Sequence, residues 1–452
     1  FKLYKKYNSE ILKNENLSNL FFNIDMKLVP VLKNMEENGV LIDIKYLKEL
    51  SEEYDKKIKD IKNFIFEKIK LEFNLNSPKQ LQDILFDKLK IKTKGIKKIK
   101  TGISTASDQL EKIKDLLEEE LEKKSNTFNF IDSLNIDEVS LKDQIEIINK
   151  LIEYREYEKL KTTYIDVLPE LINKNTNRIH RSFNQTIAVT GRLSSTEPNL
   201  QNIPVRTEDG KKIRKAFIAN EGYKIFSIDY SQVELRIIAS LSGQESMIDA
   251  FIKNIDIHTQ TASLINNIKI EEVTKPQRYA AKAINFGILY GMGARKLSRE
   301  TGITFNEAKE YIEKYFKIND KIEKYISEII KISHRDEFIE NLFGRKRYFK
   351  EINSSQKFIV SAAERMAVNM TIQGLAADIM KLAMINIYEK IKNRDDIKML
   401  IQVHDELVFE IKEDKIDFYI PILKEEMEKS YLLPNNVPLI ADIEIGNNWG
   451  EL

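Results

Sequence analysis

T-K-P-Q-R-Y-A-A-K-A-I-N-F-G-I-L-Y-G, residues 274–291, is the stretch on which the reading of this chain turns. Thr274 and Gln277 have the spacing of a capping box, and Pro276 falls in the first turn, where a missing N–H costs little. Gly291 can end the helix. Arg278, Lys282, Phe286 and Tyr290 recur every four residues, so at 3.6 residues per turn they form one slowly drifting stripe. That stripe carries two cations and then two aromatic rings. Cations suit phosphates and rings suit flat heterocycles, so the face can hold a nucleotide lengthwise. An ordinary amphipathic helix, with its rings in the core and its cations in water, has the same spacing. The choice between the two rests on the rest of the chain.

The 452 residues have room for two to four structural units and a large core. A hydrophobic fraction of 42% and a charged fraction of 32% are ordinary for a globular protein. Lys and Arg number 72 against 71 acids, a net charge of +1, so binding to nucleic acid requires the positive charge to be gathered on one surface. The absence of cysteine excludes disulfides, zinc–thiolate sites and thiol nucleophiles, and is compatible with a reducing cytosol. No apolar run reaches the length of a bilayer span and no signal peptide is evident, so no membrane partner is expected. The chain starts at Phe1, and the expectation is a fragment or a processed chain.

Residues 1–22 are polar and close no apolar pattern of their own, which suggests the tail of an upstream domain. Residues 26–43 read as a helix and turn stopped by Gly39. From Leu47 to about Phe73, Leu47, Leu50, Tyr54, Ile58, Ile61, Ile65 and Ile69 predict a long helix with one apolar stripe. Leu141, Ile145, Ile148, Leu151 and Leu160 repeat the pattern, and the two helices should pack antiparallel. Between them Lys88, Lys90, Lys92, Lys94, Lys97, Lys98 and Lys100 stand without an acid, beside Gly95 and Gly102. Such a loop can lie along a phosphate backbone, or it can be solvated surface. Residues 115–135 end in a polar break that reads as an insertion. After Thr176 the texture turns to short β-like runs. Tyr223–Asp229 reads as a strand ending in a carboxylate, followed by a helix from Ser231 to Leu241. Met399–Ile411 reads as a hairpin broken at His404–Asp405–Glu406, with a long helical block over roughly 246–390 in between.

A carboxylate at an apolar strand end is costly to bury alone, and two brought together repel unless a cation lies between them. Hard divalent cations want oxygen ligands, and phosphoryl transfer needs charge neutralised on the attacking and leaving oxygens. The bland reading leaves Asp229 and Asp405 as unrelated surface turns. The local wording decides. D-Y-S-Q-V-E-L-R (229–236), R-Y-A-A-K-A-I-N-F-G-I-L-Y-G (278–291) and Q-V-H-D-E-L-V-F-E (402–410) resemble the A family of DNA polymerases. The likeness extends to A-V-T-G-R-L-S-S-T-E-P-N-L-Q-N-I-P-V-R-T (188–207), F-G-R-K-R-Y (343–348), Q-G-L-A-A-D-I-M-K (373–381) and G-N-N-W (446–449), from about residue 23 onward.

The resemblance implies an α+β, helix-rich, right-hand polymerase fold with an antiparallel-sheet palm, helical fingers and a helical thumb. It divides the chain into a tail at 1–22, a palm-associated helix at 23–44 and a thumb at 45–165. The thumb has its basic tip at 88–105 and the insertion at about 115–135. The palm takes 166–245 and 391–452, with the fingers at 246–390. The activity implied is addition of dNTPs to a primer 3′-OH by two-metal-ion nucleotidyl transfer, in replication and repair gap filling. Asp229 and Asp405 would ligate two Mg2+ ions (Mn2+ could substitute), with the Tyr230 carbonyl helping and Glu406 in support. Arg278 and Lys282 would hold the triphosphate, Lys282 also acting on the leaving pyrophosphate, with His258 as a further phosphate contact. Phe286 would pack on the incoming sugar and base, Tyr290 would occupy the template-base position, Glu234 would be the gate against a 2′-OH, and Gln232 would be a lesser nucleotide contact. Arg192, Gln373, His404 and Arg365 match family positions that touch the primer–template. Asn199, Gln201, Asn202, Arg206, Asn369 and Gln402 would be lesser contacts, and Lys94, Lys97, Lys98 and Lys100 phosphate contacts of the thumb.

Three features depart from the family pattern. Tyr279 stands where many members have a second arginine. The insertion disturbs the thumb. The paired-acid D-x-E signature of the proofreading exonuclease is absent, so neither proofreading nor 5′ nuclease activity is expected of this chain. A monomer in the cytoplasm, associated with a bacterial nucleoid, is the expectation, with an organellar origin left open. Two alternatives remain at this point. One is a phage- or mitochondrial-type RNA polymerase, against which Glu234 argues. The other is a DNA-binding protein descended from a polymerase, against which the intact Asp229, Asp405, Arg278 and Lys282 argue.

Overall fold

The computed structural model describes residues 2–100, 102–125, 139–205, 207–289 and 291–452. Arg206, Tyr290 and the 126–135 part of the anticipated insertion lie outside the described residues. The chain divides into two compact units, one of Asp43–Ile172 and one of Phe1–Ile42 with Asn173–Leu452.

The smaller unit is helical. Its first helix, Ile44–Ile69, starts where the Asp43 side chain accepts from the Tyr46 N–H, and all seven apolar positions of the expected stripe are buried. Its partner, Leu141–Leu160, is capped by Ser140 and buries Ile147, Ile148, Leu151, Tyr154 and Leu160. The two run antiparallel. Lys68, near the end of one, bonds Asp143 at the start of the other, and the Tyr54 and Tyr157 rings sit 5.2 Å apart at the opposite end. The lysine-rich segment between them anchors Leu89, Ile91 and Ile96 in the core and turns its lysines outward. Acidic partners do reach it, since Lys92 pairs with Glu120 at 2.8 Å. Residues 115–125, the described part of the expected insertion, are ordered in a regular element. They belong to a helix, Ser107–Ser125, whose Leu110, Ile113 and Leu117 continue a three- and four-residue stripe into the core.

The larger unit includes the N-terminal residues. They form helices Lys2–Leu12 and Glu15–Leu20, and Leu20 and Ile24 enter the main core. The helix Met26–Asn38 stops at Gly39, whose φ is +57° and where a Cβ would come within 2.8 Å of the His180 ring. The central element is β1 (Tyr223–Tyr230), followed by helices α1 (Val233–Ser242), α2 (Ile257–Asn266), α3 (Lys275–Leu289) and α4 (Lys357–Ile391). Strands β2 (Ile397–Val403), β3 (Glu406–Lys412) and β4 (Ala441–Gly446) complete an antiparallel sheet in the order β2–β3–β1–β4. Strand alternation gives the sheet two faces. Phe226 and Ile228 of β1 join Leu407, Phe409 and Ile411 of β3 in the core beside α1 and α4. The opposite face carries Ser227 and Asp229 of β1. There the buried Glu410 is matched by a forked contact from Arg178 at 2.9 and 2.7 Å. The helical block carries a small hairpin, Phe338–Glu340 with Lys346–Tyr348, that apolar periodicity does not separate from its neighbours.

A buried charge network joins segments far apart in the chain. Arg345 lies 2.7 Å from Asp378 and 2.8 Å from Asp25, Lys381 lies 3.1 Å from Asp25, and Asn341 donates to Asp378 at 2.8 Å. Asp378 is 0% and Lys381 1% exposed. Two of the quoted family stretches, 343–348 and 373–381, thus meet through their charged residues. Removing one member of such a network strands the others in low dielectric. Asp378→Asn is therefore expected to cost about 3–5 kcal/mol, read as a lowered denaturant midpoint. A change under about 1 kcal/mol, the range of an exposed pair, would contradict the buried-network reading.

Candidate active site

The register of the sheet brings the acids together. Asp229 of β1 lies directly opposite Glu406 of β3 on one side and Asp442 of β4 on the other. The Tyr230 N–H donates to the Asp405 carbonyl at 3.0 Å, which fixes the turn beside the strand end. His404 and Asp405 form a two-residue turn between β2 and β3, with His404 at φ +52°. Glu406 starts β3 and is held by the Ser227 hydroxyl at 2.7 Å and the Trp449 indole N–H at 3.3 Å.

Asp229 keeps an open face to water but is crowded by neighbours. Desolvation first, then the charges of Asp405, Glu406, Asp442 and Glu444, push its carboxyl up to about 8. Desolvation and Glu234 raise Asp405 to about 6, against the opposing effect of Arg192. Oxygen donors that repel one another in this way fit a hard divalent cation, and Mg2+ needs only one or two carboxylates beside phosphate oxygens. Among the described residues no group of three or more His, Asp or Glu is gathered so as to hold an ion by itself. Asp229 and Asp405, with the Tyr230 carbonyl, are the residues that would hold one.

Helix α3 has the capping box expected of it. The Thr274 N–H and hydroxyl both donate to Gln277 at 2.9 Å, and the Gln277 N–H returns to Thr274. Its core face is Ala281, Ile284, Asn285 and Ile288, which pack toward α2 and the helix Phe305–Ile318. The stripe of Arg278 and Lys282 lies elsewhere and is exposed, with Phe286 half-buried beyond it. Exposed cations and a half-buried Phe286 packed against the core fit the ordinary amphipathic helix as well as a nucleotide-holding face, so the choice rests on the acids of the sheet and not on α3 alone. Arg278 has a forked ion pair with Asp256, the N-cap of α2, at 3.2 and 2.7 Å. Desolvation works against that pairing, but Arg278 and Thr259 still hold the Asp256 carboxyl well below its usual range.

His258 stands apart from the exposed cations. It is 2% exposed, its Nδ1 lies 3.1 Å from the Asn285 amide, and its ring centre is 5.5 Å from Phe286. Burial first, then Arg278 and Lys282, depress it to about 4, so the ring is neutral and not offered to a phosphate in this arrangement. Tyr279 is 57% exposed. Gly291 has φ +66° and no room for a Cβ, because the stem of Arg365 lies against it.

The expected DNA contacts of this unit fall around one small cleft and the helix behind it. Arg192, Gln201, Gln402 and His404 line the cleft, with Lys381 at its floor. The Gln201 amide donates to both oxygens of Gln402 at 3.2 Å, and the Gln402 amide donates to the His404 carbonyl at 2.6 Å. Asn199 caps the Gln201 N–H, and Asn202 is exposed. On α4, Arg365 is exposed and bonds Ser361, Gln373 is half-buried, and the Asn369 Oδ1 is buried without a hydrogen-bond partner. Glu234 is buried in the first turn of α1 beside Gln232, its N-cap, and pairs with Arg192 at 2.7 Å. Lys94, Lys97, Lys98 and Lys100 are exposed in the smaller unit.

This chain belongs to DNA polymerase family A, whose family profile matches residues 44–135 and 116–451. Its relatives include DNA polymerase I of Borreliella burgdorferi, 43% identical over 453 residues, covering 100% of this chain and 46% of that protein. The thermostable DNA polymerase I of Thermus aquaticus is 42% identical over 436 residues, covering 96% of this chain and 49% of its own length. This chain thus spans about half the length of the curated relatives it matches. Among solved structures, the POL domain of Pol1 from M. smegmatis, in complex with DNA primer-template and dNTP, superposes with a TM-score of 0.85 at 36% identity. That match covers 98% of this chain and 73% of the other. The α+β, helix-rich polymerase fold expected from the sequence is the fold found.

Sequence reading missed three participants. Asp256 is one, although an acid before an apolar periodic run is a helix-start signal. Asp442 lies in A-D-I-E-I-G, whose alternation marks a strand but not its partner. Asn285 was passed over inside the helix; it is fully buried and bonds Thr261 at 3.0 Å.

The raised carboxyls carry a pH prediction. The unfolded reference is about 3.9, so between that value and about 8 the folded chain holds a proton on Asp229 that the unfolded chain releases. Stability without divalent cations is therefore lost as pH rises through this window. Asp229→Asn is expected to melt above the parent at pH 8 in chelator and close to it at pH 4. An equal gap at both values would contradict the crowding.

Proposed function

We propose that this chain performs template-directed DNA synthesis, joining the α-phosphate of a dNTP to a primer 3′-OH with release of pyrophosphate. The observation that carries the reading is the pairing of Asp229 with Glu406 across β1 and β3, next to the Asp405 turn, together with the exposed Arg278–Lys282 face of α3. The POL domain of Pol1 from M. smegmatis, a neighbour at 36% identity, is in complex with DNA primer-template and dNTP, which supports the same partners here. No described helix is long and apolar enough to cross a membrane. The expectation of a monomer belongs to the same proposal, as does a role in replication and gap repair without proofreading or 5′ nuclease activity from this chain.

In this reading Asp229 and Asp405 would hold two divalent ions, Mg2+ by the chemistry of their donors. When bound, such ions neutralise charge on the attacking and leaving oxygens. Arg278 exchanges Asp256 for the triphosphate, trading one forked oxyanion contact for another. Lys282 binds the β- and γ-phosphates and gives a proton to the departing pyrophosphate. Phe286, half-buried against His258, packs on the sugar and base. Glu234 closes the space that a 2′-OH would occupy. The cleft residues Arg192, Gln201, Gln402 and His404 read the primer end, with Gln373, Asn369, Arg365, Asn199, Asn202 and Arg206 as further contacts. The exposed lysines of the smaller unit follow the phosphate backbone. Closure of α3 over a correctly shaped pair would supply selection by induced fit. His258 reaches a phosphate only if that motion turns it out of its pocket.

Primer extension with dNTPs and Mg2+ tests the proposal. Asp405→Ala is expected to cut turnover by on the order of 10²–10³-fold, the scale for losing one charge-stabilising group, while duplex binding persists. Near-normal extension by this variant would refute the role of Asp405. Phe286→Tyr is expected to raise incorporation of 3′-deoxy chain terminators, measured as the terminator-to-dNTP ratio, and an unchanged ratio would remove Phe286 from the sugar contact.

A further inference from the structure

The gate residue Glu234 is not free-standing. Its Oε1 accepts from Arg192 Nη2 at 2.7 Å, with the Glu234 side chain 8% and the Arg192 side chain 30% exposed. Each partner is itself anchored. Glu234 belongs to the first turn of α1, where Val233 and the residues through Ser240 are buried. Arg192 follows Gly191, whose φ of +81° sets the turn and where an added Cβ would come within 2.6 Å of the Arg345 side chain. Arg345 is clamped by Asp378 and Asp25. The loop bearing Arg192 is therefore backed by the buried charge network, and the ion pair bridges two rigid supports.

A lone carboxylate is an ambiguous gate. It occupies space where a 2′-OH would go, yet it also accepts hydrogen bonds, and a hydroxyl is a donor. Excluding a hydroxyl requires both that the carboxylate stay in one rotamer and that its lone pairs be engaged elsewhere. A charge-assisted bond from a guanidinium does both. We propose that Arg192 is a positioning residue for sugar selection. Through its ion pair it holds Glu234 in the rotamer that crowds a 2′-OH and occupies the oxygen that would otherwise welcome one. This rests on the reading of the chain as a DNA polymerase with Glu234 as its gate. It gives Arg192 a task distinct from its expected contact with the primer, because specificity here comes from denying the wrong sugar a partner.

The test is a double-mutant cycle on sugar discrimination, the ratio of kcat/KM for a dNTP to that for the matching rNTP opposite one template base. The ratio cancels active fraction and primer affinity, so partial unfolding or weakened DNA binding does not move it. Arg192→Gln is expected to narrow the ratio roughly tenfold, the scale of coupling between residues in contact. Arg192→Lys, which keeps the cation and loses the planar guanidinium, should narrow it less. In a Glu234→Ala background, Arg192→Gln should change the ratio no further. If Arg192→Gln yields too little product, Arg192→Lys against Glu234→Ala gives the same readout. An unchanged ratio, or equal narrowing with and without Glu234, overturns the proposal and leaves the polymerase reading intact. A parent chain that adds no dNTP to a primer overturns both.

Discussion

Like charges forced into contact are the constraint around which this molecule is built. Three antiparallel strands place Asp229 between Glu406 and Asp442, and a tight turn adds Asp405. Nothing local favours that arrangement. It persists because the other face of the same strands buries Phe226, Ile228, Leu407, Phe409 and Ile411 against two helices, and slipping the register by one residue would expose all of them. Hydrophobic burial on one face therefore enforces electrostatic tension on the other. The matched Arg178–Glu410 pair farther along that polar face shows what a satisfied version looks like.

Helix α3 repeats the logic at the scale of one element. Its inner face is locked by Asn285 against Thr261 and His258, and by isoleucines against neighbouring helices. Its outer face is polar and exposed, with Arg278 held by the carboxylate of Asp256. That carboxylate offers the guanidinium the same two-oxygen fork that a phosphate would. A cation kept on an exchangeable partner stays oriented without being buried.

Much of the architecture was legible because period-2 and period-3.6 patterns report directly on which side chains are covered. The stripe from Leu47 to Ile69 and the break at His404–Asp405 are of this kind. The acidic strand end and the basic helix face were legible for the same reason. Where the structure departs, the cause is contact between segments distant in sequence. Leu20 and Ile24 gain a core only from residues of later helices. The Arg345–Asp25 pair spans 320 positions, and Arg192–Glu234 spans 42. No periodicity encodes such partners. His258 differs in kind: the family resemblance implies a phosphate contact there, and only packing reveals that the ring is enclosed in this arrangement.

The position of β1 has a consequence for the making of the protein. This strand is the first of its sheet to be synthesised but ends up between β3 and β4, which are the last to be made. Roughly 200 residues separate it from the strand that covers its second edge, some ten to forty seconds of elongation at about 5–20 residues per second. For most of that interval, until β3 emerges, an apolar ribbon, Y-K-I-F-S-I-D-Y, has two unpaired hydrogen-bonding edges. The nascent chain must keep this ribbon from pairing with its neighbours on adjacent ribosomes. The carboxylate near the ribbon's end, troublesome in the finished sheet, is then a gatekeeper against aggregation.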